Sequence, residues 1–356
     1  MLWIKARTRR LNFLKRSQKI QLIKMIKEAI NQDSKAETGN RLIMLETTLS
    51  KKQKPLFHQL LCYYAGKYPE RRETINQVLR DTGWVDENLK KIKSFSWVKR
   101  AQGAKALGDV SGHKELKALS DLLYDRREEV RLIAANSLVR CGELAGFQAV
   151  INAMLKGKLA KSRRLSHILS MMAIRCAGFL LPLLNHPQKS IRLLTMNALI
   201  SANKLEMAEH FVPLLQSKDF EIRALAAQGL GHFRYTKAID ALIELLNDDS
   251  WQVRTSAAKA LGELKQERAV PRLKKLLCDS SYWVRRNAAE SLLRLGIPGH
   301  NALSEAASAE DRYARDMANY ALKELIWVHS PEGNYYISDD GIVYMTKEQW
   351  ELYYKR

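Results

Sequence analysis

The chain has 356 residues, 46% of them hydrophobic and 27% charged, with only 17 Gly and 8 Pro, which excludes a disordered polymer and a loop-rich β protein. Its net charge of +21 is concentrated at one end: residues 1–105 carry 24 Lys+Arg against 9 Asp+Glu. Four scattered cysteines, Cys62, Cys141, Cys176 and Cys278, form no C-x-x-C pair. That spacing suggests neither a disulfide framework nor a zinc site, and the expectation is buried structural thiols in a reducing cytoplasm.

Residues 1–96 read as a basic, helical N-terminal cap of juxtamembrane character. Lys5, Arg7, Arg9, Arg10, Lys15, Arg16 and Lys19, interleaved with Leu2, Trp3, Ile4 and Phe13, form a candidate binding segment for an anionic membrane surface. Each such cation contributes ~1 kcal/mol near anionic lipid. "RSQKIQLIKMIKEAI", "KPLFHQLLCYYAGKY" and "RETINQVLRDTGW" have helical patterns that would close the open end of a helical array beginning near Trp97. The longest uncharged apolar run, Cys176 to Leu184, falls far short of the ~20 residues that span a bilayer. The expected location is cytoplasmic, including the inner face of the membrane.

From Trp97 to Leu325 the chain repeats itself. Val98, Val130, Ile191, Ile222, Val253 and Val284 each precede a basic residue: Lys99, Arg131, Arg192, Arg223, Arg254 and Arg285. The last three steps are 31 residues each, and eight copies fit in all. Every copy reads as an apolar-periodic helix, a polar turn and a second helix. Asp125, Asp219, Asp249 and Asp279 are the N-cap candidates. Gly108, Gly142, Asn203, Gly231, Gly262 and Gly296 are the expected helix stops. Ala134-Ala135, Ala226-Ala227, Ala257-Ala258 and Ala288-Ala289 recur at one helical position, where small side chains let helices approach.

The phrases "DDSWQVRTSAAKALGEL", "DSSYWVRRNAAESLLRLG" and "REEVRLIAANSLVRCGEL" resemble HEAT repeats, specifically the short bacterial type named after the phycobilisome lyases. The resemblance implies an all-α fold, a right-handed α-solenoid of about eight helix pairs. It also implies a structural ladder of acidic and basic residues between neighbouring repeats: Asp219, Asp249 and Asp279 with Arg223, Arg254 and Arg285. Pro182 and Pro213 match the proline of the family's first helix, whereas Pro271 lies nearer its helix start. Beyond the array, "NYYISDDGIVYM" alternates around an Asp340-Gly341 turn signal, so residues 326–356 read as a β-hairpin followed by a capping helix from Thr346.

No motif for chemistry emerges. The eight histidines show no metal spacing and read as turn or surface residues, and no "HE" dipeptide supports the di-iron site of HEAT-type hydroxylases. Neither a phosphate loop nor a nucleophile elbow is present. The expectation is no catalytic residue, no metal and no cofactor. Trp251, Trp283 and Arg286 form a candidate groove, similar at most loosely to the basic, aromatic face of HEAT-like DNA glycosylases. Around them charge alternates along the helices, as in Lys259 with Glu263 and in Arg286, Glu290 and Arg294. Such alternation marks a solvated face rather than a phosphate track. The expected function is therefore a non-catalytic scaffold for a protein partner, with nucleic-acid binding or bilin-lyase activity as the alternatives.

Overall fold

A computed structural model describes residues 19–31, 34–110, 112–159 and 163–323, together with the backbone of three strands after them. Its packing divides the chain into two compact units, Met1–Ile168 and Leu169–Arg356.

In the first unit, residues 19–30 form α1, followed by α2 (Lys35–Thr48), α3 (Lys54–Lys67), α4 (Arg72–Asp81), α5 (Trp84–Ile92), α6 (Trp97–Leu107), α7 (His113–Leu122), α8 (Glu128–Cys141) and α9 (Leu144–Leu155). α6 packs on α5 and α8, while α7 packs on α8 and α9, so first and second helices form two layers. The same alternation reaches back into the N-terminal region, where α2 and α3 both pack on α4. The sequence pattern starts the repeats at Trp97, but the helix paired with α6 is α5, which begins at Trp84. Phe57, Leu61, Ile75, Leu79 and Leu107 lie fully buried along this unit. At roughly 1.5–3 kcal/mol each, such burial supplies the main drive for stacking.

α10 (Arg163–Cys176) carries the division between the units. In the second unit the regular second helices are α11 (Lys189–Ala202), α12 (Phe220–His232), α14 (Trp251–Glu263), α16 (Tyr282–Arg294) and α18 (Arg312–Lys323). Consecutive members of this series pack against one another. Their partners are less regular. One is a 3-10 stretch, Leu205–Gln216, with Pro213 inside it. Two others are short α segments, α13 (Ile239–Glu244) and α15 (Val270–Lys275), each flanked by 3-10 turns, and α17 (Ile297–Ala306) completes the set. Pro213 has no N–H to donate, which explains the break there. In α15, Pro271 sits in the first turn, where the missing donor costs nothing.

Two of the expected helix stops, Gly231 and Gly262, are corrected. Gly142, Asn203 and Gly296 do adopt positive φ, at 80°, 49° and 67°. Gly231 and Gly262 instead lie inside α12 and α14, buried against the next helix. A Cβ on Gly231 would come within 2.7 Å of Ala260 Cα, and one on Gly262 within 2.6 Å of Ser291 Oγ. These glycines set helix separation. The left-handed residues come three positions later, at Arg234 (φ 55°) and Lys265 (φ 52°). Gly108 does end α6, as its C-cap, but with a right-handed φ of −67°.

After α18, β1 (Ile326–Ser330), β2 (Gly333–Ser338) and β3 (Gly341–Met345) pair as an antiparallel sheet in the order β1-β2-β3. Ser338 pairs with Gly341, so the β2–β3 connection is residues 339–340. The helix expected from Thr346 lies outside the described residues, as do Lys5, Arg7, Arg9, Arg10, Lys15 and Arg16. Lys19, at the start of α1, is exposed.

Urea denaturation tests the helix spacing. Gly231→Ala and Gly262→Ala should each lose about 1–3 kcal/mol through overpacking. Lys265→Gly, which relieves a left-handed backbone, should gain roughly 0.4–1 kcal/mol.

Candidate functional site: an arginine ladder edged by aromatic rings

The basic residue that opens each second helix does the same local work in every intact copy. One guanidinium nitrogen, Nη1, donates to the carbonyls six and five residues earlier, in the turn between the paired helices. Arg223 takes Ser217 O (2.8 Å) and Lys218 O (3.3 Å), and Arg254 takes Asp248 O (2.7 Å) and Asp249 O (3.0 Å). Arg285 takes Asp279 O (2.7 Å) and Ser280 O (3.0 Å). Arg100, Arg131, Arg192 and Arg315 repeat the pattern. Turn carbonyls without a helical partner need donors, and the planar guanidinium supplies two from one atom. In the first copy the residue is Arg100, not Lys99: Arg100 donates to Ser94 O and Phe95 O, and Val98 is exposed.

The other edge of the fork reaches the next repeat. Arg223 Nε and Nη2 donate to both oxygens of Asp248, each at 2.8 Å. Arg254 does the same to Asp279, at 2.7 and 2.9 Å. In the first unit Arg100 grips Asp125 at the same distances. Each carboxylate also accepts the N–H two residues on, that of Ser250, Ser281 or Arg127. These pairs are shielded: the Arg254 and Asp279 side chains are 15% and 8% exposed.

The six ladder residues expected from the sequence are therefore only partly brought together. Arg254 and Asp279 pair directly. Arg223 pairs with Asp248 and not Asp249, whose carbonyl alone is engaged. Asp219 caps α12 through the Glu221 N–H and pairs with Lys189 at 2.8 Å. Among the described residues Arg285 meets no carboxylate; its guanidinium lies 4.5 Å from the Tyr313 ring and 5.9 Å from Tyr282. Strict counting by 31 from Asp279 leads to Asp248, so the repeat length itself holds the signal that separates the two adjacent aspartates.

Three residues before the ladder arginine stands an aromatic: Trp97 in the first unit, then Phe220, Trp251 and Tyr282 in the second. All four are exposed, as are Trp283 and Tyr313 one position later in their own copies. The register therefore groups Trp251 with Tyr282, while Trp283 edges Tyr282 with ring centroids 5.6 Å apart. Arg286 does not face this edge as a free cation; its Nε donates to Glu290 at 2.8 Å. A comparison of tryptophans alone misses the continuing row from Phe220 to Tyr313, because three of its rings, Phe220, Tyr282 and Tyr313, are Phe or Tyr.

Among the described residues no group of His, Cys, Asp and Glu is placed to hold a metal ion. Likewise, no described helix is long and apolar enough to cross a membrane. Cys62 and Cys141 are buried, and burial pushes their thiols up to about 12 and about 11. Cys278 is exposed, against the expectation of uniformly buried thiols. His58 departs from the surface reading too. It is buried between Phe57 and Trp84, and burial lowers its pKa despite Glu46 at 4.0 Å.

Helix pairs repeated along the chain and stacked on their neighbours define the class of helical repeat proteins, and here an arginine–aspartate ladder ties the repeats. Within that class the family model for HEAT repeats matches residues 177–258, 208–294 and 239–323, so HEAT repeats run through residues 177–323. No curated protein matches it in sequence. Among solved structures, an engineered protein is similar at 18% identity over 85% of this chain and 98% of its own, with a TM-score of 0.36. Kap95p, described with RanGDP, is similar at 13% identity and TM-score 0.48 over 84% of this chain, which spans 48% of Kap95p. Human deoxyhypusine hydroxylase is similar at 17% identity and TM-score 0.30, over 69% of this chain and 98% of its own.

The ladder predicts a specific acid response. Burial pushes the Asp248 carboxyl up, but the Arg223 fork and the Ser250 N–H outweigh it and hold the group below its ordinary value. Stability from a lowered carboxyl is complete above the unfolded value of about 3.9 and is lost as pH falls through the lower folded value. Urea midpoints should therefore decline below about pH 4, and Asp248→Asn should remove part of that decline. At pH 7 the same variant should cost about 3 kcal/mol, because it leaves the shielded Arg223 fork without its charge partner.

Proposed function

We propose that this chain is a non-catalytic scaffold that docks a protein partner along the aromatic edge of its second unit. The supporting observation is the recurrence of Phe220, Trp251 and Tyr282 at one register, widened by Trp283 and Tyr313, with every ring exposed. Single exposed apolar residues are ordinary, whereas a repeated row of large rings is a patch of the kind that partners cover. Tyr, Trp and Arg are also the side chains enriched at the energetic centres of protein interfaces.

Charge favours a protein over a nucleic acid here. Phosphate recognition needs a stripe of available cations. Along this edge Arg223 and Arg254 are neutralised by Asp248 and Asp279, and Arg286 by Glu290. The basic segment with Lys5, Arg7, Arg9 and Arg10 extends the proposal: it would hold one end of the scaffold against an anionic membrane surface.

A photo-crosslinking amino acid placed at Trp251, Trp283 or, as a control on α15, Arg272 tests the docking edge in the source cell. Discrete protein adducts should form from the two aromatic positions and not from Arg272. Adducts to nucleic acid, equal patterns at all three positions, or none at either aromatic would contradict the reading.

A further inference from the structure

The ladder has a vacant rung. In each filled rung the acceptor carboxylate stands 25 residues after its arginine and six before the next one: Asp248 lies between Arg223 and Arg254, and Asp279 between Arg254 and Arg285. After Arg285 the next ladder arginine is Arg315, whose Nη1 takes Ala309 O and Glu310 O. The acceptor position six residues before Arg315 is therefore Ala309, which has no carboxylate. This step is 30 residues rather than 31.

Glu310 stands 25 residues after Arg285, but only its carbonyl is engaged, by Arg315, and its exposed side chain makes no ion pair with Arg285. Asp311 accepts the Ala314 N–H as a cap of α18, and among the described residues no carboxylate lies within ion-pair distance of Arg285. Arg285 is nonetheless held as its counterparts are, by two turn carbonyls through Nη1. The Arg285 guanidinium carbon lies 4.5 Å from the Tyr313 ring centroid, and among the described residues Nε and Nη2 donate to no acceptor. By contrast, Arg192 lacks an acceptor at Ser217 but feels Asp219 two residues on.

We propose that the Arg285 fork, flanked by Tyr282 and Tyr313, is a binding site for the side-chain carboxylate of an acidic residue on a partner protein. The occupant is defined by the filled rungs, which show what this fork geometry seats: one Asp side chain, bidentate, with Nε and Nη2 each near 2.8 Å from an oxygen. A preformed fork of this kind loses little freedom on binding and selects planar anions. The exposed rings of Tyr282, Trp283 and Tyr313 receive the apolar neighbours of that acid. The inference deepens the scaffold reading and rests on it only for the identity of the carboxylate's owner.

The test follows the Nε–Hε signals of the full-length protein labelled with 15N-arginine. The probes are a doubly blocked Gly-Asp-Gly peptide, an N-acetylated Gly-Gly-Gly peptide with a free C-terminus, and inorganic phosphate. The blocked aspartyl peptide should shift the Arg285 signal saturably and leave those of Arg223 and Arg254 in place. Ala309→Asp supplies the acid within the chain. It should raise the urea midpoint, move the Arg285 signal toward that of Arg254, and weaken the peptide response by about tenfold or more. An unresponsive Arg285, an undiminished response in Ala309→Asp, or stronger binding of either the terminal carboxylate or phosphate would overturn the proposal. A saturable Arg285 response combined with absent crosslinks at Trp251 and Trp283 would leave the site standing and reject the aromatic docking edge.

Discussion

The structure depends on one guanidinium placed under three demands. It must satisfy two turn carbonyls in its own repeat and grip a carboxylate in the next. Because the ladder aspartate offers its carbonyl to one arginine and its carboxylate to another, the contacts form a line: Arg223, Asp248, Arg254, Asp279, Arg285. The two spans, 25 residues forward and six back, together make the repeat length of 31. Lysine cannot replace arginine in this line, since a single ammonium lacks the planar fork that reaches both acceptor sets. Where the spacing slips to 30, between Arg285 and Arg315, the line ends at Ala309.

A second constraint is distance. The charge line lies at the turns, so it can close only if the second helices pack tightly behind it. Ala226-Ala227, Ala257-Ala258 and Ala288-Ala289 are fully buried three and four residues after each arginine. Gly231 and Gly262 continue that surface of small side chains, with neighbours too close for a Cβ. Polar ladder and small-residue seam are therefore two parts of one requirement, and both keep the large rings at the helix starts pointing to solvent rather than into the stack.

Much of this is legible in the sequence. The recurring arginine, the alanine pairs and the 31-residue step mark the HEAT-like repeats and place the second helices of the second unit. Choices between neighbours are harder. Capping rules favour Asp249 over Asp248, yet the ladder carboxylate has to meet an arginine in the preceding repeat, a contact that helix-capping rules do not contain. Lys99 looks like the ladder residue in place of Arg100 because Val98 imitates the buried anchor of other copies. Gly231 and Gly262 look like helix ends because glycine serves both left-handed turns and close approach. The N-terminal pairs escape the pattern because they lack the arginine and alanine signature: α2 buries Thr38 and Glu46 where later copies bury small apolar residues.

The ladder also sorts the charge of the protein into what is available to a partner and what is not. Its arginines are largely committed internally, which leaves the rings and the Arg285 fork between them as the distinctive chemistry of the second unit. That distinction rests on the rungs being energetically coupled rather than merely adjacent. A double-mutant cycle with Arg254→Ala, Asp279→Ala and the pair, measured by urea denaturation at pH 7, tests it most directly. A coupling energy above about 1 kcal/mol is expected for a bidentate, shielded pair. Additive losses with no coupling would contradict the account.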